Sequence, residues 1–238
     1  LPDLQSVHYL PLGTTGLAIV FFIILLHRYL SRGQSLHLMW WTIGVFCYGL
    51  GTALESAITL NGNTIALTKA WYVAGALLGG YPLAQGTVYL LLNRKTAHRL
   101  TLITLPFILI ISILVILSPV NHEAFLPHKP GGAVIAWTWL RLMTPIINLY
   151  AVIFLIGGAI WSAVRYSKMG DSGHRALGNT LIAIGAILPG IGGGMAKAGM
   201  VEALYVGEFV GLLFIWAGYA ACVRAPIYAR AISAPAGA

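Results

Sequence analysis

The chain has 238 residues, 58% hydrophobic and only 8% charged, against about 25% charged in ordinary soluble domains. That deficit runs along the whole length and excludes a water-soluble globular domain. The net charge of +8 sits mainly in short loops between apolar segments, which excludes a nucleic-acid surface as its cause.

Seven apolar segments follow in chain order, each near the roughly 20 residues a bilayer crossing requires. They span about 9–29, 38–60, 64–92, 100–118, 138–164, 176–200 and 203–224. Lipid leaves unpaired backbone groups unsatisfied, so all seven read as helices. The predicted fold is a single all-α transmembrane domain over residues 1–238, a seven-helix bundle.

Of the fourteen Lys and Arg residues, ten fall in one set of loops. They are Arg28, Arg32, Arg94, Lys95, Arg99, Arg165, Lys168, Arg175, Arg224 and Arg230. The other set holds Asp3, the Asn61-Gly62-Asn63 turn, the 119–136 loop and Glu202. The positive-inside rule makes the basic side cytoplasmic, with the N-terminus outside and the C-terminus inside. The expected location is the cell (inner) membrane, as a multi-pass protein. Trp40, Trp41, Trp137, Trp139 and Trp161 fall near span ends, as interfacial aromatics do. The longest loop, 121–133, is long enough to fold over the outer end of the bundle.

Two halves show a weak internal likeness. Ile43-Gly44 with Gly49-Leu50-Gly51 parallels Ile184-Gly185 with Gly190-Ile191-Gly192. Ala70-Trp71-Tyr72-Val73 parallels Ala203-Leu204-Tyr205-Val206. The pattern suggests a parallel 3+1+3 pseudo-repeat, as some transporters have. Gly75-x-x-x-Gly79, Gly190-x-x-x-Gly194 and Gly207-x-x-x-Gly211 are expected to let helix backbones pack closely.

The informative polar residues are few. Glu55 and Lys69 flank the Asn61 turn at equal distance from Gly62, about 10 Å below its tip at a 1.5 Å rise per residue. Lys197 and Glu208 repeat this layout with the signs exchanged. Arg141 has no hairpin partner. Two readings follow: paired charges that fix hairpin register, or a polar pocket facing outward. Two stripes favour the pocket. Trp41, Tyr48, Thr52 and Glu55 share one helical face, as do Arg141, Thr144 and Asn148. Lys69 and Tyr72 lie together on the third span, with Pro82 and Gln85 deeper. Pro145 and Pro189 lie within the fifth and sixth spans, and a kink is expected at Pro189. The candidate ligand-binding residues are therefore Glu55, Lys69, Arg141, Asn148, Lys197, Glu208, Tyr48 and Tyr72, around a small amphipathic or anionic ligand.

No catalytic motif is found, and the chain reads as a non-enzyme. Gly170-Asp171-Ser172-Gly173 matches a protease string without assignable triad partners. His122, Glu123 and His128 lack the i, i+4 helical spacing of a zinc motif. The seven histidines lie in loops or at span ends, which argues against a buried bis-histidine haem and against histidine-ligated chlorophyll. The last span has no lysine for retinal. Cys47 and Cys222 read as small buried hydrophobes. No cofactor is predicted, although a bound lipid or a pigment held by other ligands is compatible. Membrane lipids are the expected partners, with other membrane subunits as an option and nucleic acid excluded.

The segments WWTIGVFCYGLGTALE (40–55) and KAWYVAGALLGGYPLAQGTVYLLLNRK (69–95) resemble those of small seven-helix bacterial membrane proteins without an assigned activity. The resemblance implies the fold and no chemistry. In outline, the topology is also similar to the sensor modules of some histidine kinases and to three-plus-one-plus-three sugar transporters. The kinase output domain is absent, and Pro82 and Gln85 are not adjacent as the transporter signature requires. The function expected is a ligand-binding or translocating bundle. The alternatives are a non-catalytic subunit of an electron-transfer or pigment-binding assembly, and a sensor module without its output domain.

Overall fold

The computed structural model describes residues 6–169 and 172–223. Asp3, Gly170, Asp171, Arg224 and Arg230, used above for orientation and motifs, lie outside the described residues. Helix α1 spans Leu10–Ser31 after a short 3-10 turn at Ser6–Tyr9, and α2 spans Leu36–Asn61. The third rod is composite: α3 (Ile65–Trp71), a π-helical segment (Tyr72–Leu77), a turn and α4 (Tyr81–Leu91). Then come α5 (Arg94–Leu117), α6 (Thr138–Ala151), a π segment (Val152–Ile156) continuing into α7 (Gly157–Ser167), α8 (Gly173–Lys197) and α9 (Val201–Val223). The fold is all-α with seven helical rods, and six of these are long and apolar enough to cross a bilayer.

Local chemistry sets several of these boundaries. Asn61 ends α2 because Gly62 takes a φ of +85°, a conformation that suits glycine. Thr64 caps α3 by accepting from the Leu67 amide at 3.1 Å, and Asn93 caps α5 from the Thr96 amide at 2.9 Å. The third rod breaks at 78–80 for a different reason. Pro82 has no amide hydrogen, and its ring crowds the carbonyl four residues back, so the helix restarts at Tyr81 with proline in its first turn. Pro189 has no such effect: α8 is assigned as one helix from Gly173 to Lys197.

The rods close into a ring. Around it run α1, α2, the third rod, α6–α7, α8 and α9, and α9 returns to α1. Helix α5 lies outside, against α4 and α6. Phe21, Leu25, Val45, Tyr48, Leu83, Leu155, Leu212 and Ile215 fill the centre. A second cluster, including Leu77, Ile108, Ile111, Leu140 and Ile147, joins α5 to the ring. Gln85 is fully buried there with its amide used on both sides: Tyr150 Oη donates to Oε1 at 2.6 Å and Nε2 donates to Thr101 Oγ1 at 2.6 Å. The outer surface carries large apolar side chains, Leu102 at 77% exposure among them. A water-soluble protein rarely leaves such a surface open, whereas acyl chains accept it.

Aromatic placement differs in part from expectation. Trp139 and Trp161 are exposed, and Arg165 lies over the Trp161 ring at 5.3 Å. Trp40 is instead an interior residue, 7% exposed and edge-on to Tyr81 at 5.9 Å. One residue is a rotation of about 100° on a helix, and both rings meet the third rod, Trp40 at Tyr81 and Trp41 at Gly86.

The α8–α9 hairpin is the tightest contact in the bundle. Gly178, Gly185 and Gly192 recur every seven residues on α8 and meet Gly218, Gly211 and the Ala203–Leu204 backbone of α9. A Cβ on Gly185 would stand 2.6 Å from the Gly211 carbonyl oxygen, and one on Gly211 would stand 2.7 Å from that of Gly185. Gly207 belongs to this seam, whereas a Cβ on Gly190 or Gly194 would meet nothing within 4 Å. Gly185→Val is therefore expected to destabilise the bundle by about 1–3 kcal/mol through overpacking. Gly193→Ala, where a Cβ meets nothing, should be neutral or stabilising by up to about 1 kcal/mol. Thermal unfolding of both variants in mild detergent measures the difference.

Candidate functional site

The end of the bundle bearing the Asn61 turn is roofed. The 119–136 loop runs out and back as one antiparallel bridge, Val120 with Ile135, and folds over the α2–α3 turn. Asn63 clamps it there. Its Nδ2 donates to the carbonyls of Leu126 at 2.8 Å and Lys129 at 3.0 Å, and its backbone amide donates to Pro127 O at 2.7 Å. Thr68 Oγ1 steadies the clamp by donating to Asn63 Oδ1 at 2.8 Å. On the far side, Lys129 Nζ donates to Glu202 Oε1 at 2.9 Å, and His8 Nε2 lies 3.3 Å from the same oxygen. Two separate parts of the chain, the His8 turn and the 119–136 loop, thus converge on Glu202 at the α8–α9 tip.

Beneath this roof, Glu55 of α2 and Glu208 of α9 come together. Glu55 is fully buried. Its Oε1 accepts from the Trp71 indole N–H at 2.6 Å. The Glu55 and Glu208 carboxyl groups lie against each other at hydrogen-bonding range. Glu55 Oε2 and Glu208 Oε2 are buried and receive no hydrogen from any other group among the described residues. Tyr48, two turns below Glu55, reaches across to donate its hydroxyl to the Glu208 backbone carbonyl at 2.8 Å. Thr52, one turn below, meets Thr15 of α1 through their hydroxyls at 3.0 Å.

The backbone makes this meeting possible. A Cβ on Gly51 would stand 3.0 Å from the Cα of Gly75, so α2 and the third rod approach closely one turn below Glu55. That approach brings Trp71, one turn before Gly75, to Glu55. The π segment begins immediately after Trp71, and such bulges recur at functional positions in helices.

The expected hairpin ion pairs do not form. Lys69 Nζ is bound instead to the carbonyl oxygens of Ile116 at 2.8 Å and Ser118 at 2.6 Å, the end of α5. A lysine there satisfies orphan carbonyls and meets the negative pole of the helix. Lys197 is exposed on α8 and does not pair with Glu208. Equal spacing from a turn brings two residues level but does not decide which way their side chains point.

The structure thus divides the eight candidate residues. Glu55, Glu208 and Tyr48 share the α2–α9 centre. Tyr72 forms a second point of contact: its hydroxyl meets Thr144 Oγ1 at 2.6 Å, with Arg141 within electrostatic reach. Gly132 of the loop sits on the Tyr72 ring, where a Cβ would come to 2.6 Å. Arg141 and Asn148 are exposed on α6. Lys69 serves α5, and Lys197 stands apart. Sequence reasoning passed over Trp71, the sole protein donor to Glu55 among the described residues, and Tyr205, which is 1% exposed and three residues before Glu208. The three-residue spacing already applied to Thr52 and Glu55 would have found Tyr205. Nothing in the spacing of Trp71 marks it. Among the described residues, no group of three or more His, Cys, Asp and Glu side chains is placed to hold a metal.

Comparison with protein-family models, with characterised proteins and with solved structures finds no match. The class is therefore defined by geometry alone: a seven-rod helical bundle with a roofed carboxyl pair, Glu55 fully buried and Glu208 half-buried.

Two expectations follow. Trp71→Phe keeps the ring but removes the indole N–H, leaving Glu55 Oε1 without its donor, and should cost about 1–3 kcal/mol in chemical or thermal unfolding. Asn63→Ala removes both side-chain bonds to the loop, each worth about 1 kcal/mol. It should raise amide hydrogen exchange across 121–135 at least tenfold while leaving α8 and α9 unchanged.

Proposed function

We propose that the chain is a multi-pass protein of the cell (inner) membrane that binds or translocates a small cation at the Glu55–Glu208 centre. Its N-terminus and the 119–136 loop face outward and its C-terminus is cytoplasmic. The orientation rests on charge. Arg28, Arg32, Arg94, Lys95, Arg99, Arg165, Lys168 and Arg175 all belong to the end opposite the roof, the pattern of a cytoplasmic face.

The observation that carries the reading is Glu55, fully buried and set against a second acid with no cation paired to it among the described residues. Each charged group at the centre of a membrane helix costs about 2.5–3.5 kcal/mol on insertion scales, and less toward the outer third where Glu55 and Glu208 lie. Where a fold needs only stability, buried ionic groups are commonly replaceable by apolar residues without loss. Two acids retained together are better explained by a bound positive species than by packing. The same feature shifts the preferred ligand from the anionic or amphipathic class suggested by sequence toward a cation. A structural subunit or an output-less sensor gives no separate account of the pair.

Function and orientation are tested separately. Full-length protein in lipid nanodiscs should show a melting temperature that responds to acid, alkali cations or small ammonium ions. A Glu55→Leu/Glu208→Leu double variant should remain folded and lose that response. A response identical in both proteins would remove the pair from function. For orientation, single cysteines are placed at Ala124 and Ser167 in a background lacking Cys47 and Cys222. A membrane-impermeant maleimide should label the first in intact cells and the second only after permeabilisation; the reverse order would invert the topology.

A further inference from the structure

We propose that the species held by Glu55 and Glu208 is a single proton shared between their carboxyl groups, and that this shared proton joins α2 to α9 at this level. The inference rests on the reading of the pair as a cation centre and names its occupant.

Two ionised carboxylates offer acceptors alone. At the pair, one hydrogen arrives from the protein among the described residues, that of Trp71, and it goes to Glu55 Oε1. The remaining buried oxygens, Glu55 Oε2 and Glu208 Oε2, have no donor of their own, although the two carboxyl groups are in mutual contact. Two bare carboxylates in that position repel. One added proton turns one acid into an O–H donor and the other into its acceptor, so repulsion becomes a charge-assisted hydrogen bond. The balance is simple: one proton enters, one O–H bond forms, and the net charge of the pair falls from −2 to −1.

Among the described residues, the surroundings supply no competing cation. From α2, Tyr48 faces the pair, but its hydrogen is spent on the Glu208 carbonyl. From α9, Tyr205 and, farther out, Glu202 act on the same region, and Glu202 is occupied by Lys129 and His8. From α3 comes Trp71, which does not titrate, while Lys69 is bound to the end of α5. From α1 comes Thr15, uncharged and bonded to Thr52. Lys197 of α8 is exposed.

A metal ion suits the site less well than a proton. Hard cations gather six or more oxygens, and the two carboxyl groups together hold only four, one of them already accepting from Trp71. A proton needs only two oxygens and no cavity.

The test is infrared spectroscopy of full-length protein in lipid nanodiscs, titrated with acid and base, for wild type, Glu55→Gln and Glu208→Gln. Glutamine supplies the N–H that the protonated acid would supply, so both variants keep the contact. The expected result is one protonated-carboxyl C=O band in wild type near neutral pH, absent from either variant and lost from wild type at high pH. Absence of the band near neutral pH, with carboxylate bands that shift when sodium replaces choline, would overturn the proton and leave the cation centre standing. Absence of both the band and any ion response would overturn this inference and the centre together. If either variant fails to accumulate, the wild-type titration and ion exchange decide alone.

Discussion

Close backbone approach at glycine is the constraint on which this bundle depends. In lipid, two apolar helices gain nothing by hiding from solvent, so association rests on van der Waals fit and on polar contacts. Gly185 against Gly211 brings α8 and α9 nearly into backbone contact. Gly51 against Gly75 does the same for α2 and the third rod. Each crossing fixes the level at which polar side chains meet. The first sets the pose of α9, and with it Glu208. The second brings the Trp71 indole to Glu55. The carboxyl centre follows from two packing seams that contain no charge.

Polar contacts then finish what the glycines begin. Lys69 closes the end of α5, and Gln85 ties α4 to α5 and α6 from a fully buried position. Each of these groups has its hydrogen-bonding capacity used by a neighbour, as buried polar groups generally do. Five buried side-chain polar atoms lack a partner among the described residues, on Ser35, Glu55, His174, Glu208 and Tyr219, and only Glu55 and Glu208 are acids set against one another. A facing pair of acids is where function is best sought.

How much of this was legible in the sequence depends on the kind of signal. Length and hydropathy reveal the number of rods, because a bilayer imposes both. The face shared by Tyr48, Thr52 and Glu55 follows from the 3.6-residue period and reappears in the structure as one wall of the centre. Charge pairing was misread for a physical reason: Lys69 has a reach of four methylenes, and the nearer unmet demand was the carbonyl end of α5 rather than Glu55. Trp71 could not be singled out, because its role depends on a crossing set by Gly51 and Gly75 on different rods. The break near Pro82 was not anticipated, because the third span reads as one segment over 64–92, whereas Pro189, where a kink is expected, lies within a helix that runs from Gly173 to Lys197.

The roof has a consequence for molecular recognition at this end of the bundle. Its loop is pinned to the α2–α3 turn by Asn63 and to the α8–α9 tip by Lys129. The surface it presents is therefore assembled from segments far apart in sequence. A binder raised against the intact fold would read a discontinuous epitope spanning the loop, the Asn63 turn and the Glu202 tip. A linear peptide copied from 121–133 would lack the framework that gives that surface its shape. An antibody fragment selected on the folded protein would serve as a conformational probe of this face.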